Sequence, residues 1–158
     1  MLASAEVYRR VKPVEIASVL AVLPQMPFVD ICVGSTDPNH PPCAVVVPST
    51  VPREVLDFIE GLELGGAPHR VFLRRLGPGQ GIPPHIDSWI PVEANIQRFH
   101  VPLVSHPDVT MRWPDDMIEV HLETGWLWEV RYNRLHEVVN PTDTERVHIQ
   151  IDQVGATI

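Results

Sequence analysis

His85, Asp87 and, far along the chain, His136 are the residues whose types and spacing suit metal chemistry. In an extended strand, side chains two apart point to the same side. An imidazole and a carboxylate from His85-Ile86-Asp87 therefore face one ion together. A second imidazole from a distant strand, His136, completes one face of an octahedron. Two histidines and one carboxylate with the opposite positions open form the ligand set of non-haem Fe(II) oxygenases. Arg146 lies ten residues past His136. It offers a fixed cation for a carboxylate-bearing cosubstrate, because a guanidinium meets a carboxylate in a bidentate geometry that lysine lacks.

Each of these readings has a competitor. A short H-x-D motif arises often by chance, and a histidine beside a carboxylate is more often a plain hydrogen-bonded pair. His121-Leu122-Glu123 is a rival pair, with His136 or His148 as its third ligand. It sits just before a hairpin turn at Thr124-Gly125, so a surface strand end is expected there. His40, His69 and His106 fall in proline-flanked loop segments and are not expected to be ligands. For Arg146 the alternative is a surface salt bridge, worth roughly 0–1 kcal/mol. Arg112, Arg131 and Arg134 are candidates for an anionic substrate group, with surface charge the commoner role. Trp113, Trp126 and Trp128 are expected in the core, with a substrate-pocket wall as the alternative.

The elements that must position these groups change character along the chain. Residues 13–23 read as a short helix, with Pro13 in its first turn and Ile16, Leu20 and Leu23 at helical spacing. Pro24 and Pro27 end it. Residues 37–42 form a turn-rich loop, and residues 44–47 a short apolar strand. Ser49 or Thr50 caps a second helix, with Pro52 in its first turn and a stripe of Val55, Ile59 and Leu62. Gly65-Gly66 lies beyond its end.

From Arg70 the period becomes two. Strands are predicted over 71–76, 95–103, 109–113, 118–122, 126–132, 135–139 and 146–153, separated by turn residues such as Gly125, Asn133 and Asn140. Many short strands argue for an antiparallel sandwich or jelly roll. The glycine- and proline-rich segment 77–84 brings backbone close to the site, and Pro83-Pro84 holds the approach to His85 extended. In two strands apolar residues alternate with functional ones. Phe99, Val101 and Leu103 oppose Arg98 and His100; Val147, Ile149 and Ile151 oppose Arg146, His148 and Gln150. Either the polar faces meet water, or the apolar faces meet the helices and the polar faces line a barrel interior. The metal triad favours the second.

Composition bounds the partners. The 158 residues suit a single domain, with a helical front and loops over 1–66 and a jelly-roll core over 67–154. At 44% hydrophobic and 20% charged, the chain is expected to fold. A net charge of -8 disfavours nucleic acid as a partner. No apolar run of membrane-spanning length occurs. Residues 1–10 lack the apolar stretch of a signal peptide, and two cysteines do not make a disulfide framework. A cytoplasmic location is expected.

From about Arg70 to Val154 the chain resembles the aspartyl/asparaginyl β-hydroxylase family of Fe(II)- and 2-oxoglutarate-dependent oxygenases. The resemblance is carried by Pro84-His85-Ile86-Asp87, Arg98-Phe99-His100-Val101-Pro102-Leu103, His136-Glu137-Val138-Val139-Asn140 and Arg146-Val147-His148-Ile149. It implies a mainly β fold, a double-stranded β-helix of the jelly-roll or cupin kind, with the N-terminal helices packed on the outside. It implies iron on His85, Asp87 and His136, Arg146 paired to the distal carboxylate of 2-oxoglutarate, and Arg98 and His100 near the same cosubstrate. Some family members lack the ligating carboxylate, whereas this chain keeps Asp87. The activity implied is dioxygen-dependent hydroxylation of an amino-acid-like small molecule or an aspartyl or asparaginyl side chain. A cupin-like metal enzyme or a binding module without 2-oxoglutarate are the alternatives. Oligomeric state is not readable.

Overall fold

The computed structural model describes residues 6–26, 51–87 and 95–158. Among the described residues, nine antiparallel strands make two sheets. The strands are β1 (Tyr8–Pro13), β2 (Ala67–Leu76), β3 (Ile82–His85), β4 (Ile96–Val104), β5 (Thr110–Trp113), β6 (Ile118–Val120), β7 (Trp126–Val130), β8 (His136–Val139) and β9 (Arg146–Val154). The larger sheet runs β1-β7-β4-β9-β2 and the smaller β3-β8-β5-β6. Two short helices, α1 (Ala17–Val22) and α2 (Arg53–Gly61), pack on the larger sheet.

The alternation in β4 and β9 resolves as the metal triad favoured. Phe99, Val101, Leu103, Val147, Ile149 and Ile151 form one apolar cluster with Val19, Val22, Val55 and Leu62 from the helical layer. Burying an aliphatic side chain of this kind stabilises by about 1.5–3 kcal/mol, so the helices fix which face of the sheet turns outward. The opposite face, with Arg98, His100, Arg146, His148, Gln150 and Asp152, is buried against the smaller sheet. A one-residue slip in register would exchange the two faces. Pairs Arg98↔Asp152, Phe99↔Ile151 and His100↔Gln150 set that register.

The N-terminal segment departs from expectation. Residues 8–13, where the sequence reading assigns only Pro13 to an element and that a helix, form the strand β1, paired to β7 at the sheet edge. Its cations reach along the edge, Arg9 to Glu129 and Arg10 to Glu123 at 2.7 Å each. Pro13 ends this strand, and α1 begins at Ala17. Its buried residues are Val19 and Val22, while Leu20 is exposed. The longer stripe read over 13–23 is cut short because the chain must first leave the sheet. In α2 the expected stripe holds, with Val55 and Leu62 buried and Ile59 packed against them. Pro52 is the N-cap of α2, not a first-turn residue. Ser49, Thr50, the loop over 37–42 and the strand over 44–47 lie outside the described residues.

Gly66 shows what the glycine pair after α2 does. Its φ is +61°, and a Cβ there would lie 2.0 Å from the Val154 carbonyl oxygen. Only glycine lets the chain turn into β2 while touching the end of β9.

Candidate metal centre

β3 and β8 pair so that His85 stands directly opposite His136. Their rings are 4.4 Å apart. Asp87 follows just beyond β3, tied by a backbone hydrogen bond from its N–H to the Tyr132 carbonyl. Alternation persists through this step: Ile86 is exposed, while the side chains of His85 and Asp87 are buried. One donor atom from each of His85, Asp87 and His136 lies within 4.8 Å of the others. His85 Nε2 is 3.2 Å from Asp87 Oδ1.

The acceptors that orient the two imidazoles are backbone carbonyls. Nδ1 of His85 donates to the Pro83 oxygen at 2.8 Å, and Nδ1 of His136 donates to the Arg134 oxygen at 2.7 Å. Each bond fixes the tautomer and leaves the Nε2 lone pair available to a metal ion, the outer-sphere arrangement common to metal-binding histidines. The donor set, two imidazole nitrogens and a carboxylate oxygen on one face, fits Fe(II) with open positions opposite.

Arg98 holds the carboxylate. Its Nη1 bonds Asp87, and its Nε and Nη2 grip Asp152 at 2.6 and 2.9 Å. All three side chains are nearly or fully inaccessible to solvent. Burial alone would raise the Asp87 pKa; the His85 hydrogen bond and the Arg98 charge more than reverse it and hold the carboxyl well below its usual range. Asp87 is therefore an anion, ready to ligate. The Arg98 guanidinium also lies 4.9 Å from the Tyr132 ring centre.

Arg146 and Gln150 line the same cavity as the triad, together with Arg74, Arg98, His100, Ile82, Met111 and Val138. Arg146 is 2% exposed, which removes the surface salt-bridge reading. Its Nη2 donates to His148 Nδ1 at 2.9 Å. His100 Nδ1 lies 3.3 Å from the same atom, so His100 is the donor there. Burial, then the charge of Arg146, pushes both His100 and His148 well below the usual histidine range.

His136 is brought down to about 4, chiefly by burial. The pH consequence follows from the sign. Between about 4 and 6.5 the unfolded chain binds a proton at His136 that the folded protein does not, so stability rises with pH there and is lost on acidification. His136 alone contributes on the order of 3 kcal/mol, and His100 and His148 act in the same direction. Asp87 adds a further loss below its unfolded value of 3.8. The urea midpoint of the metal-free protein is expected to fall steadily from pH 7 to pH 4. A flat profile would contradict this electrostatic description.

The competitors resolve too. His121 gives Nδ1 to the Val109 carbonyl, and Glu123 pairs with Arg10, so this rival pair does not assemble a site. His106 is a surface residue; His69 falls in β2 rather than a loop, and His40 lies outside the described residues. Trp113 and Trp128 are core, bonding the Arg131 and Glu123 carbonyls. Trp126 is half-buried, and Arg10 stacks on both it and Trp128. Arg112 and Arg134 pair with Glu119 and Asp116, and Arg131 bonds the Glu6 carbonyl. Asn140 is a turn residue that ties the glycine-rich loop to β8–β9, through Gly77 and Thr144 carbonyls. Asp152, Arg74 and the Arg146–His148 contact escaped the sequence reading. Asp152 extends the parity of Arg146, His148 and Gln150 by one step, a signal sufficient to find it.

Comparison with known proteins agrees with this picture. The fold is similar to a viral collagen prolyl hydroxylase from Paramecium Bursaria Chlorella virus-1, solved as a 2OG complex. The TM-score is 0.60 at 14% identity, covering 94% of this chain and 97% of that one. A Pseudomonas putida prolyl-4-hydroxylase gives a TM-score of 0.61 at 14% identity, covering 93% and 91%. A non-heme monooxygenase in its apo form gives 0.57 at 17% identity, covering 95% and 74%. These likenesses establish a double-stranded β-helix. No curated protein sequence matches the chain. The sequence model for aspartyl/asparaginyl beta-hydroxylase matches residues 45–155, beginning ahead of the Arg70 at which the motif resemblance starts. With most of its length matched and the motif residues gathered in one cavity, this chain belongs to the aspartyl/asparaginyl β-hydroxylase family.

Proposed function

We propose that the protein is an Fe(II)- and 2-oxoglutarate-dependent hydroxylase, acting on an unactivated C–H bond of an amino-acid-like molecule or of an aspartyl or asparaginyl side chain. The observation that carries this reading is a three-residue metal face and a buried, oriented arginine lining one cavity.

Fe(II) with 2-oxoglutarate supplies oxidative decarboxylation by dioxygen to succinate and carbon dioxide, coupled to hydroxylation of the substrate. The chain's residues do the rest. His85, Asp87 and His136 hold the ion. Arg146, steadied by His148, takes the distal carboxylate of the cosubstrate. Arg98 and His100 line the cavity beside it, and Arg98 keeps Asp87 anionic and aimed. Ile82, Met111 and Val138 give the cavity apolar walls that limit water near the oxidant. We read residues 1–158 as one domain, since the helical layer packs on the sheet that bears Arg98 and Arg146.

Succinate release stimulated by members of a panel of amino acids and short peptides tests the activity. Arg146→Gln is expected to lower 2-oxoglutarate affinity by about tenfold to a hundredfold, since a charge-assisted bidentate pair is lost, with metal affinity unchanged. Unaltered 2-oxoglutarate binding in that variant would remove Arg146 from the cosubstrate site, and no 2-oxoglutarate binding by the unsubstituted protein would instead favour a cupin-like metal enzyme of another class.

A further inference from the structure

His100 on β4 and Gln150 on β9 are register partners, and both line the cavity of the metal triad. Side chains opposed in this way on one face have Cβ atoms about 4.5–5.5 Å apart. Gln150 is 3% exposed, and its Nε2 finds no hydrogen-bond partner among the described residues. A buried N–H donor left without an acceptor costs about 1–3 kcal/mol. Something in the cavity has to accept from it.

The polarity of His100 follows from its neighbours. An arginine side chain only donates, so the Arg146 contact makes His148 Nδ1 a lone pair. His100 Nδ1 lies 3.3 Å from that same atom and therefore carries a proton. Burial, with the charges of Arg146 and Arg98 beside it, keeps His100 neutral. A neutral imidazole holds one proton, so His100 Nε2 is a bare lone pair, and it is the ring nitrogen left for the cavity. A carboxylate oxygen gains nothing from it directly, because both are acceptors.

Resting on the function proposed above, we propose that His100 and Gln150 together hold one water molecule, through which His100 reaches a carboxylate oxygen of 2-oxoglutarate. The water accepts from Gln150 Nε2, donates one hydrogen to His100 Nε2 and donates the other to the carboxylate. About three hydrogen bonds is the usual complement of a buried water. A bridging water is nearly as favourable as a direct hydrogen bond and costs at most about 2 kcal/mol in ordering. This one satisfies the orphaned amide and separates two acceptors that would otherwise repel. Gln150 and His148 become positioning residues for the cosubstrate. The first holds the water; the second, by offering its lone pair to Arg146 and His100, sets which way His100 faces.

Ring-nitrogen NMR on histidine-labelled, Zn(II)-loaded protein, without and with 2-oxoglutarate, reads which nitrogen of His100 is protonated. The proton is expected on Nδ1 in both states. A proton on Nε2 in either state would overturn the proposal, because His100 could then donate to the carboxylate itself. A crystal structure of the same complex is expected to show a water within hydrogen-bond distance of His100 Nε2, Gln150 Nε2 and a carboxylate oxygen. No water there, or a carboxylate oxygen bonded directly to either side chain, would overturn it as well. Gln150→Leu is expected to weaken 2-oxoglutarate binding about tenfold, with metal affinity unchanged; parental 2-oxoglutarate affinity in that variant would count against the bridge. Should Gln150→Leu fail to fold, the two measurements on the unsubstituted protein still decide. Failure of 2-oxoglutarate to bind the unsubstituted protein is read from its own signal and overturns the underlying function instead.

Discussion

Asp87→Ala is expected to lower Fe(II) affinity by more than the roughly 10–100-fold typical of losing an outer hydrogen-bond partner of a ligand. Three effects act together. One donor of the metal face is gone. The ion loses the anionic member of this ligand set, leaving two neutral imidazoles. The Arg98 guanidinium, still paired with Asp152, no longer has that carboxylate between its positive charge and the cation. Asp87→Asn is the informative companion, because it keeps an oxygen and removes only the charge; its affinity should fall between those of the parent and Asp87→Ala. Equilibrium dialysis under anaerobic conditions measures all three. Undiminished affinity in Asp87→Ala would place this chain with the family members that manage without the carboxylate.

Asp152→Ala is the second large effect, and it falls on stability first. Asp152 is fully buried and holds Arg98 through two hydrogen bonds, beside the one that Arg98 makes to Asp87. Removing one partner of a buried ion pair strands the other and costs about 3–5 kcal/mol. For a chain of this length that lowers the Tm by about 10 °C. The replacement pair Arg98→Met with Asp152→Leu removes both of these charges but leaves the buried Asp87 without its guanidinium, so it should regain only part of that stability. It should not regain metal affinity, because nothing then aims Asp87. Thermal unfolding and metal dialysis on the single and double variants separate the structural contribution from the positioning one. A double variant with parental metal affinity would show that Arg98 does not act through Asp87.

Much of this site was legible because strand periodicity carries information in two directions at once. The alternation around Phe99 and Ile149 separated an apolar face from one that holds Arg98, His100 and Arg146, and the metal triad favoured turning the second inward. Spacing alone grouped His85 with Asp87. The direct pairing of His85 with His136 was not legible, since register depends on which strands meet, and no local signal states that. Nor were the carbonyls of Pro83 and Arg134 that fix the imidazoles. β1 escaped notice because Arg9, Arg10 and Lys12 interrupt any apolar alternation there, whereas Arg9 and Arg10 bond across the sheet edge. The misplaced start of α1 has the same origin: Pro13 fits a helix start by propensity, and tertiary pairing with Trp126 makes it a strand end.

The central claim is that one cavity binds Fe(II) through His85, Asp87 and His136 and 2-oxoglutarate through Arg146. Anaerobic titration of the metal-free protein with Fe(II) and then 2-oxoglutarate tests it most directly. The account predicts a weak visible charge-transfer band in the parent protein, absent in His136→Ala and requiring much more 2-oxoglutarate in Arg146→Gln. No band in the parent protein at saturating Fe(II) and 2-oxoglutarate, with the fold intact, would contradict it.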